Sequence, residues 1–190
     1  MTTPTSARYA ARIAVTAFGG QPEVRRHHDQ DESNAIDILT CMDRPGPDLS
    51  TYSTLGLHLV SNFLDGVDIR IEIAGVAEST ASDFPNLVAT AAFYVMKDRW
   101  LAAPGVIFPG LLREYGLSRT LEHLVFVTPF PWSELGSVEL GEGITAHWLL
   151  AVPISESERS FLLDRGFDAF EDRMEAQDVE YWRLNRASMV

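Results

Sequence analysis

An alternating segment at residues 67–73 constrains the fold more than any other part of the chain. Apolar and charged positions exchange at every step, in the order Val67, Asp68, Ile69, Arg70, Ile71, Glu72, Ile73. Successive side chains of a strand point to opposite faces of a sheet, so this period of two predicts a strand with one buried face and one polar face. Any fold for this chain must therefore contain a sheet.

Four other segments predict strands. Residues 35–42 are rich in β-forming residues, and residues 49–60 are mostly β-branched or aromatic, with a bulge or a close approach expected at Gly56. Residues 124–128 and 146–152 are continuous apolar runs. Such runs are typical of strands buried on both faces, so both are expected near the centre of the sheet.

Helices are predicted at the start and in the middle of the chain. Ser6 is expected to cap a helix over about residues 7–18, with Gly19 at its C-terminal end. Pro85 suits the first turn of a longer helix over about residues 83–100.

The C-terminal part predicts two more helical segments. Ser155 and Glu158 have the spacing of a capping box, and the helix that they begin ends at Gly166. A second segment follows at residues 167–174, and the polar tail over about residues 176–190 is expected to fray.

The order of these elements predicts the fold class. Helices at both ends and in the middle, with strands in hairpin-like runs between them, favour an α+β domain with a mixed, mainly antiparallel sheet flanked by helices. A length of 190 residues suits one domain over residues 1–190, and neither a repeat nor a linker divides the chain.

The net charge limits the kinds of partner. The chain has 27 acidic and 15 basic residues, which gives a formal charge of −12 at pH 7. This charge repels nucleic acid and anionic membrane surfaces and attracts basic partners. We therefore expect no nucleic acid and no membrane among its partners, whereas the oligomeric state stays open.

Two further features bear on location and covalent chemistry. No apolar run is long enough to cross a membrane, and residues 1–8 lack the charged start and apolar stretch of a secretory signal, so a cytoplasmic location is expected. Cys41 is the single cysteine, which leaves no intramolecular disulfide and no cysteine-based zinc site.

The well-marked catalytic and cofactor motifs are missing. The sequence contains no P-loop, no Gly-x-Gly-x-x-Gly turn after a strand, no Gly-x-Ser-x-Gly elbow and no His-Glu-x-x-His helix, and we expect no cofactor and no bound metal. His27 and His28 precede three acidic residues and have the side-chain types of a metal site. The alternative is that residues 21–34 are a solvated connector or an exposed edge.

Two other groups have a catalytic and a structural interpretation. His58 and Glu72 lie on different predicted strands, where they are either a general-base pair or a polar cross-strand pair. Cys41, at the end of a strand, is either a nucleophile or a small buried apolar residue.

The loop at residues 43–48 is a candidate recognition site. Asp43, Arg44 and Asp48 follow a strand, a position where rigid scaffolds present binding groups, although Arg44 could instead pair with either carboxylate to fix the turn. Tyr52 and Trp132 are candidate aromatic anchors for a partner or members of the core rim.

A series of short motifs, in order over about residues 35–173, resembles the bacterial members of the suppressor-of-fused family. Each motif is weak alone, but their order and spacing are moderately specific. His58 stands where the family often has a small hydroxyl residue. The motifs are Asp43-Arg44-Pro45, Thr51-Tyr52-Ser53-Thr54-Leu55-Gly56-Leu57, Arg70-x-Glu72, the long helix followed by Pro104-Gly105, Pro131-Trp132, and Pro153-Ile154-x-x-x-Glu158.

The resemblance implies an α+β domain that binds proteins and has no known catalysis. The animal relative restrains a transcription factor by gripping an extended peptide, and bacterial relatives are associated with toxin systems as immunity proteins. The resemblance therefore implies an immunity or antitoxin-like protein that neutralises a toxin, such as a nuclease with a basic face, by direct contact.

The expected contact surface combines residues of several elements. Its candidate members are Asp43, Arg44, Asp48, Tyr52, Glu72 and Trp132. An exposed strand edge that accepts a segment of the partner is a second expected element. Two other functional classes stay open at this point: a small hydrolase that uses His58 and Glu72, and a regulatory module that binds a small ligand.

Overall fold

A sheet passes through the centre of the molecule, as the strand patterns predict. The computed structural model describes residues 4–141 and 143–190, and residues 1–3, which belong to the N-terminal segment without the features of a secretory signal, lie outside the described residues. In this part of the chain, eight strands form one mixed sheet and two form a separate hairpin. In chain order the strands are β1 (Pro22–His28), β2 (Ala35–Met42), β3 (Leu49–Leu55), β4 (Phe63–Leu64), β5 (Val67–Asp68), β6 (Arg70–Glu78), β7 (Ile107–Phe108), β8 (His123–Val127), β9 (Ser137–Glu139) and β10 (Thr145–Ile154).

The strand order confirms the predicted fold class. The main sheet runs β1-β2-β3-β6-β10-β8-β7, and β9 pairs with the first residues of β10. Neighbours are antiparallel except for β6 and β10, which run parallel from Arg70 opposite Ala146 to Gly75 opposite Ala151. The chain is therefore a single α+β domain with a mixed, mainly antiparallel sheet.

The helices lie close to their predicted positions. They are α1 (Thr5–Phe18), α2 (Phe84–Met96), α3 (Leu111–Glu114), α4 (Glu156–Arg165) and α5 (Phe167–Ala176), with single 3₁₀ turns at Leu57–Leu59 and Ser133–Leu135. The helix predicted to reach residue 100 ends at Met96, and the chain turns away at Arg99, whose φ is 59°.

The start of α1 differs from the prediction. Pro4 precedes the helix, and Ser6, which was expected to cap it, lies inside its first turn. The Ser6 side chain is 2% exposed and bonds to His58. The Ser6 hydroxyl therefore forms a long-range hydrogen bond with the buried His58 and does not cap the helix.

The sheet is covered on both faces. On one face α2 packs against β2, β3 and β6, with Phe84 and Leu87 among the fully buried side chains. The other face lies beneath α1, the C-terminal helices and the large buried side chains of Trp148 and Phe170. The strands β8 and β10 are buried on both faces, as their apolar runs predict.

Two-sided coverage corrects the expectation for the alternating segment. β6 begins only at Arg70, and Val67 belongs to the separate hairpin, where it is 63% exposed. On the face that was expected to be polar, Asp68 and Arg70 keep some exposure, whereas Glu72 is 0% exposed. A charged residue is stable there because hydrogen bonds satisfy its carboxylate.

Glycine is required at two positions in this part of the sheet, at Gly75 for a close approach and at Gly56 for a positive φ. A Cβ at Gly75 would lie 2.8 Å from the Phe84 ring, so α2 can pack against β6 only because that Cβ is missing. Gly56 has a φ of 99° and ends β3, where the longer strand predicted over residues 49–60 gives way to a 3₁₀ turn.

The C-terminal tail is packed rather than frayed. Tyr181, Leu184 and Met189 are buried, and Arg186 forms an ion pair with Glu158 of α4. Tertiary contacts that the local sequence does not reveal therefore hold the segment after α5 in place.

In the parts of the chain that the structure covers, none of the helices combines the length and the apolar character needed to span a membrane.

Candidate protein-binding site

The loop between β2 and β3 presents three charged side chains to solvent. Asp43, Arg44 and Asp48 are all exposed. The Asp43 carboxylate accepts a hydrogen bond from the Asp48 N–H at 3.3 Å, and the Arg44 carbonyl accepts one from the Thr51 hydroxyl at 2.8 Å. Both aspartates have positive φ, 53° and 61°, a region that Asp tolerates better than most residues. The loop is therefore held in one shape while its charges face outward.

Arg44 does not neutralise the two carboxylates of this loop. Its guanidinium donates to the backbone carbonyl of Asp43 at 2.7 Å and lies over Gly19 and Gly20. Within residues 4–141 and 143–190, no ion pair joins Arg44 to Asp43 or Asp48. Arg44 therefore contacts the turn through a backbone carbonyl, and not through an acidic side chain as the structural alternative predicted.

The edge strand β1 lies next to this loop. Pro22, its first residue, pairs with Cys41, two residues before Asp43. Among the described residues, β1 has β2 as its neighbour on one side and no strand on the other. The region predicted as a connector or an exposed edge is therefore an edge strand, and it is continuous with the charged loop.

Charged side chains cover β1. Arg26 forms a bidentate pair with Asp37, at 2.8 and 2.9 Å, and this bond raises the pKa of the guanidinium. His27 Nδ1 lies 3.0 Å from Asn86 Oδ1 on α2, and partial burial there lowers the pKa of the imidazole. Charged residues along an edge disfavour chance strand pairing, which leaves the edge available to a matched partner.

The carboxylates that follow the two histidines at the end of β1 make internal contacts. Asp29 accepts hydrogen bonds from the Asn34 side-chain amide, at 2.6 Å, and from the backbone N–H groups of Asn34 and Ser33, and these bonds lower the pKa of its carboxyl. Asp31 pairs with Lys97 at 2.8 Å. In the part of the chain that the structure describes, no three His, Cys, Asp or Glu side chains are grouped to hold a metal ion.

The structure brings His58 and Glu72 together inside the core. His58 Nδ1 donates to Glu72 Oε1 at 2.5 Å, and both side chains are 0% exposed. The same carboxylate accepts hydrogen bonds from the Thr54 hydroxyl and from the N–H groups of Gly56 and Leu57, the latter two at 2.7 and 3.3 Å. Glu72 thereby joins β6 to the end of β3 and to the turn that follows.

Ser6 completes a chain of hydrogen bonds through the imidazole. The Ser6 hydroxyl lies 3.0 Å from Nε2 of the same imidazole ring whose Nδ1 contacts Glu72. Serine, histidine and carboxylate in this order are the arrangement of a serine hydrolase triad. However, the Ser6 hydroxyl is buried, and none of the three residues lines either of the two grooves described on the surface. We interpret the arrangement as a structural network that anchors α1.

The two aromatic candidates and the cysteine lie in the core. Tyr52 is 4% exposed and packs 5.4 Å from Phe84, and burial raises the pKa of its phenol. Trp132 is 6% exposed and packs 4.7 Å from Phe18. Burial raises the pKa of the Cys41 thiol, which disfavours the nucleophilic thiolate. Of the six predicted contact residues, only the three in the loop are therefore accessible in this structure.

Sequence reasoning missed two groups of residues. Ser6 lies 52 positions from His58, so no local pattern could connect them. The acidic residues of α5 do carry a signal: Glu171 and Glu175 are spaced at i and i+4, which puts them on one side of the helix, and Asp178 follows in the turn after it.

The same overall fold occurs in solved structures of suppressor-of-fused proteins. A homologue from Neisseria gonorrhoeae superposes with a TM-score of 0.71 at 16% identity, covering 98% of this chain and 95% of that one. The crystal structure of the Sufu-Fu complex gives 0.63 at 14% identity, with 96% and 90% covered. Suppressor of Fused from Drosophila gives 0.56 at 14%, covering 82% of this chain and 43% of that one. These likenesses define the fold class.

Sequence comparison assigns the family. The family model described as Suppressor of fused protein (SUFU) matches residues 32–187. A curated relative from Bacillus subtilis (strain 168), Immunity protein YqcF, is 35% identical over 184 residues, which is 95% of each chain. The chain belongs to the suppressor-of-fused family, as the motif series predicts.

Proposed function

We propose that this protein is an immunity protein that binds a toxin directly in the cytoplasm and blocks it without catalysis. The similarity to Immunity protein YqcF carries this proposal, because the identity is 35% and covers 95% of both chains. The Sufu-Fu complex supports a protein as the partner, since a domain with this fold is found there in a complex.

The toxin is expected to be basic where it is bound. A charge of −12 favours association with a positively charged face, such as that of a nuclease, and lowers the rate of encounter with acidic proteins. Asp43 and Asp48 add two exposed carboxylates that have no cation partner within the loop.

The contact surface that we propose consists of the loop at residues 43–48 and the strand β1. The loop supplies charge for orientation. The outer edge of β1 supplies backbone N–H and carbonyl groups, which an extended segment of the toxin can pair with to add a strand to the sheet. The two parts are adjacent because Pro22 pairs with Cys41.

The experiment has two stages. In the first, proteins that copurify with this chain are identified by mass spectrometry. In the second, each of them is expressed alone and together with this chain. The proposal predicts a binary complex and a partner that stops growth only when it is expressed alone. A partner that is equally toxic with or without this chain would contradict an immunity function.

A double substitution tests the loop. Asp43→Asn with Asp48→Asn removes two charges and keeps a residue that tolerates positive φ. Asp65→Asn is the matched control, because Asp65 is exposed and has a φ of 50° in a different turn. We expect the double variant to bind the toxin about tenfold more weakly, with a smaller dependence on salt. Equal affinity for the double variant and the control would remove the loop from the interface.

Hydrogen exchange tests the strand edge. Strand addition predicts that amides of β1 exchange more slowly in the complex than in the free protein, because their outward N–H groups become hydrogen bonded. Unchanged exchange along Pro22–His28 in a saturated complex would exclude strand addition at this edge.

A further inference from the structure

A groove of about 650 Å³ lies on the opposite side of the sheet from α2, at the C-terminal end of the chain. One wall is α5 and the turn that follows it, and the other is the corner at residues 128–131 with the segment at residues 179–182. The floor contains Val127 and Met174, both buried. Its volume is sufficient for a few side chains of a partner and too small for a folded element.

Carboxylates form the first wall. Glu171, Asp172, Glu175 and Asp178 line the groove, and no lysine, arginine or histidine is among the described residues that line it. None of the four takes part in an ion pair within the described residues. Arg173, the nearest basic residue in sequence, lies over the Phe161 ring at 5.8 Å and is engaged there.

Glu171 has no cationic partner among the residues that the structure describes. Its carboxylate is partly buried and accepts one hydrogen bond, from the Thr128 hydroxyl at 3.4 Å. Burial raises the pKa of Glu171, and the charges of Asp168 and Asp172 raise it further. A positive group in the groove would therefore relieve both desolvation and like-charge repulsion.

Aromatic rings form the second wall. Phe130 is 58% exposed, unusual for a ring of this size, and meets Tyr181 edge to face at 5.2 Å. Tyr181 in turn meets Trp182 at 4.9 Å and 78°. This packing holds the rings in place, so that the exposed part of Phe130 is presented without a large entropic cost on binding.

We propose that this groove binds an arginine side chain of the protein partner. A guanidinium is flat enough to stack on an aromatic ring while its N–H groups donate to carboxylates, and both kinds of group line this one groove. The inference rests on the proposed function for the identity of the partner, but its site is separate from the loop and from β1. A second copy of this acidic chain is a poor occupant, because its charge of −12 repels the carboxylate wall.

The binding test uses a short peptide, so that it does not depend on the toxin. The probe is acetyl-Ala-Arg-Ala-Arg-Ala-amide, titrated into the full chain labelled with ¹⁵N, with citrulline and lysine versions as matched probes. We expect shifts of amide signals confined to residues 128–131 and 171–182. The citrulline peptide, which lacks the charge, should not bind, and the lysine peptide should bind more weakly.

Charge-matched variants separate a site from general attraction. Glu171→Gln with Glu175→Gln removes two carboxylates from the groove, and Asp65→Asn with Asp98→Asn removes two exposed ones elsewhere. We expect an affinity about tenfold lower for the first pair and unchanged for the second. Phe130→Ala should weaken arginine more than lysine binding.

Several results would overturn the inference. These are signal shifts spread over the whole surface, an equal loss for both pairs of variants, citrulline binding as tight as arginine binding, and lysine binding as tight as arginine binding. Peptide binding in the groove together with failure of the growth experiment would overturn the immunity function and leave the site standing. Growth protection without peptide binding would support the immunity function and overturn the arginine site in the groove.

Discussion

The buried Glu72 shows how far a single residue can depart from its local pattern. In the sequence its charge marks the polar face of a strand, yet the side chain is completely buried and accepts several hydrogen bonds. A carboxylate can remain in the core because its oxygens are satisfied, and removing a partner leaves a polar group unpaired.

Ser6→Ala distinguishes a structural network from a catalytic one. Loss of the hydroxyl leaves Nε2 of His58 without its hydrogen bond, so we expect the free energy of unfolding to fall by about 1–3 kcal/mol. Urea denaturation measures this change. A catalytic Ser6 would instead react with a fluorophosphonate probe in the native protein, and such labelling would contradict the structural interpretation.

The pH dependence of the stability of Glu171→Gln tests whether the carboxylate wall of the groove has no cationic partner. The pKa of Glu171 is raised in the folded state, chiefly by burial, so folding favours the protonated form, and ionisation above this pKa costs stability. We expect the Gln variant to be the more stable at pH 7, and the difference to vanish as pH falls below 4.5, the ordinary value. Urea unfolding across this range measures it, and a gain that does not depend on pH would contradict the assignment.

Elements with strong local signals lie where the sequence predicts them. The capping box of α4 is formed as expected, with the Ser155 hydroxyl accepting from the Glu158 N–H at 3.2 Å and the Glu158 carboxylate accepting from the Ser155 N–H at 2.8 Å. Ends of elements that depend on distant contacts are less predictable. β3 stops at Leu55 because the next residues turn to donate to Glu72.

Ser155→Ala measures the contribution of this cap. The variant leaves the Glu158 N–H without its side-chain acceptor, and we expect a loss of stability of about 1 kcal/mol. Ser160→Ala, an exposed position within the same helix, is the control and should change stability by less than about 0.5 kcal/mol. Equal effects of the two substitutions on the midpoint of thermal unfolding would show that the cap contributes nothing.

At the scale of the whole molecule, the C-terminal segment closes one face of the sheet. Arg186 is 8% exposed and donates to the Glu158 carboxylate and, at 2.9 Å, to the Pro153 carbonyl at the end of β10. The segment therefore connects the central strand, α4 and the region that borders the groove. The groove depends on this closure, because Tyr181 and Trp182 belong to the same segment.

Arg186→Ala should destabilise the protein strongly. Removing one partner leaves the Glu158 charge buried and unpaired, which typically costs about 3–5 kcal/mol. Arg183→Ala is the control, because Arg183 is exposed and pairs with Glu180 on the surface, and it should cost less than about 1 kcal/mol. Equal denaturant midpoints for the two variants would show that the tail is not integral to the fold.

The sequence by itself determined what depends on neighbouring residues. The apolar runs place β8 and β10, the alternation indicates β6 but not its first residue, the capping box places α4, and the order of short motifs identifies the family. The exposed loop at residues 43–48 was also predictable, because two prolines and a glycine exclude a regular strand there.

Only the tertiary structure decided which charged and aromatic residues are buried. Tyr52 and Trp132 lie in the core, Glu72 meets His58 and Ser6, and the groove forms between elements far apart in the chain. Burial depends on which layers cover each face of a strand, and that coverage comes from long-range packing, which local periodicity does not encode.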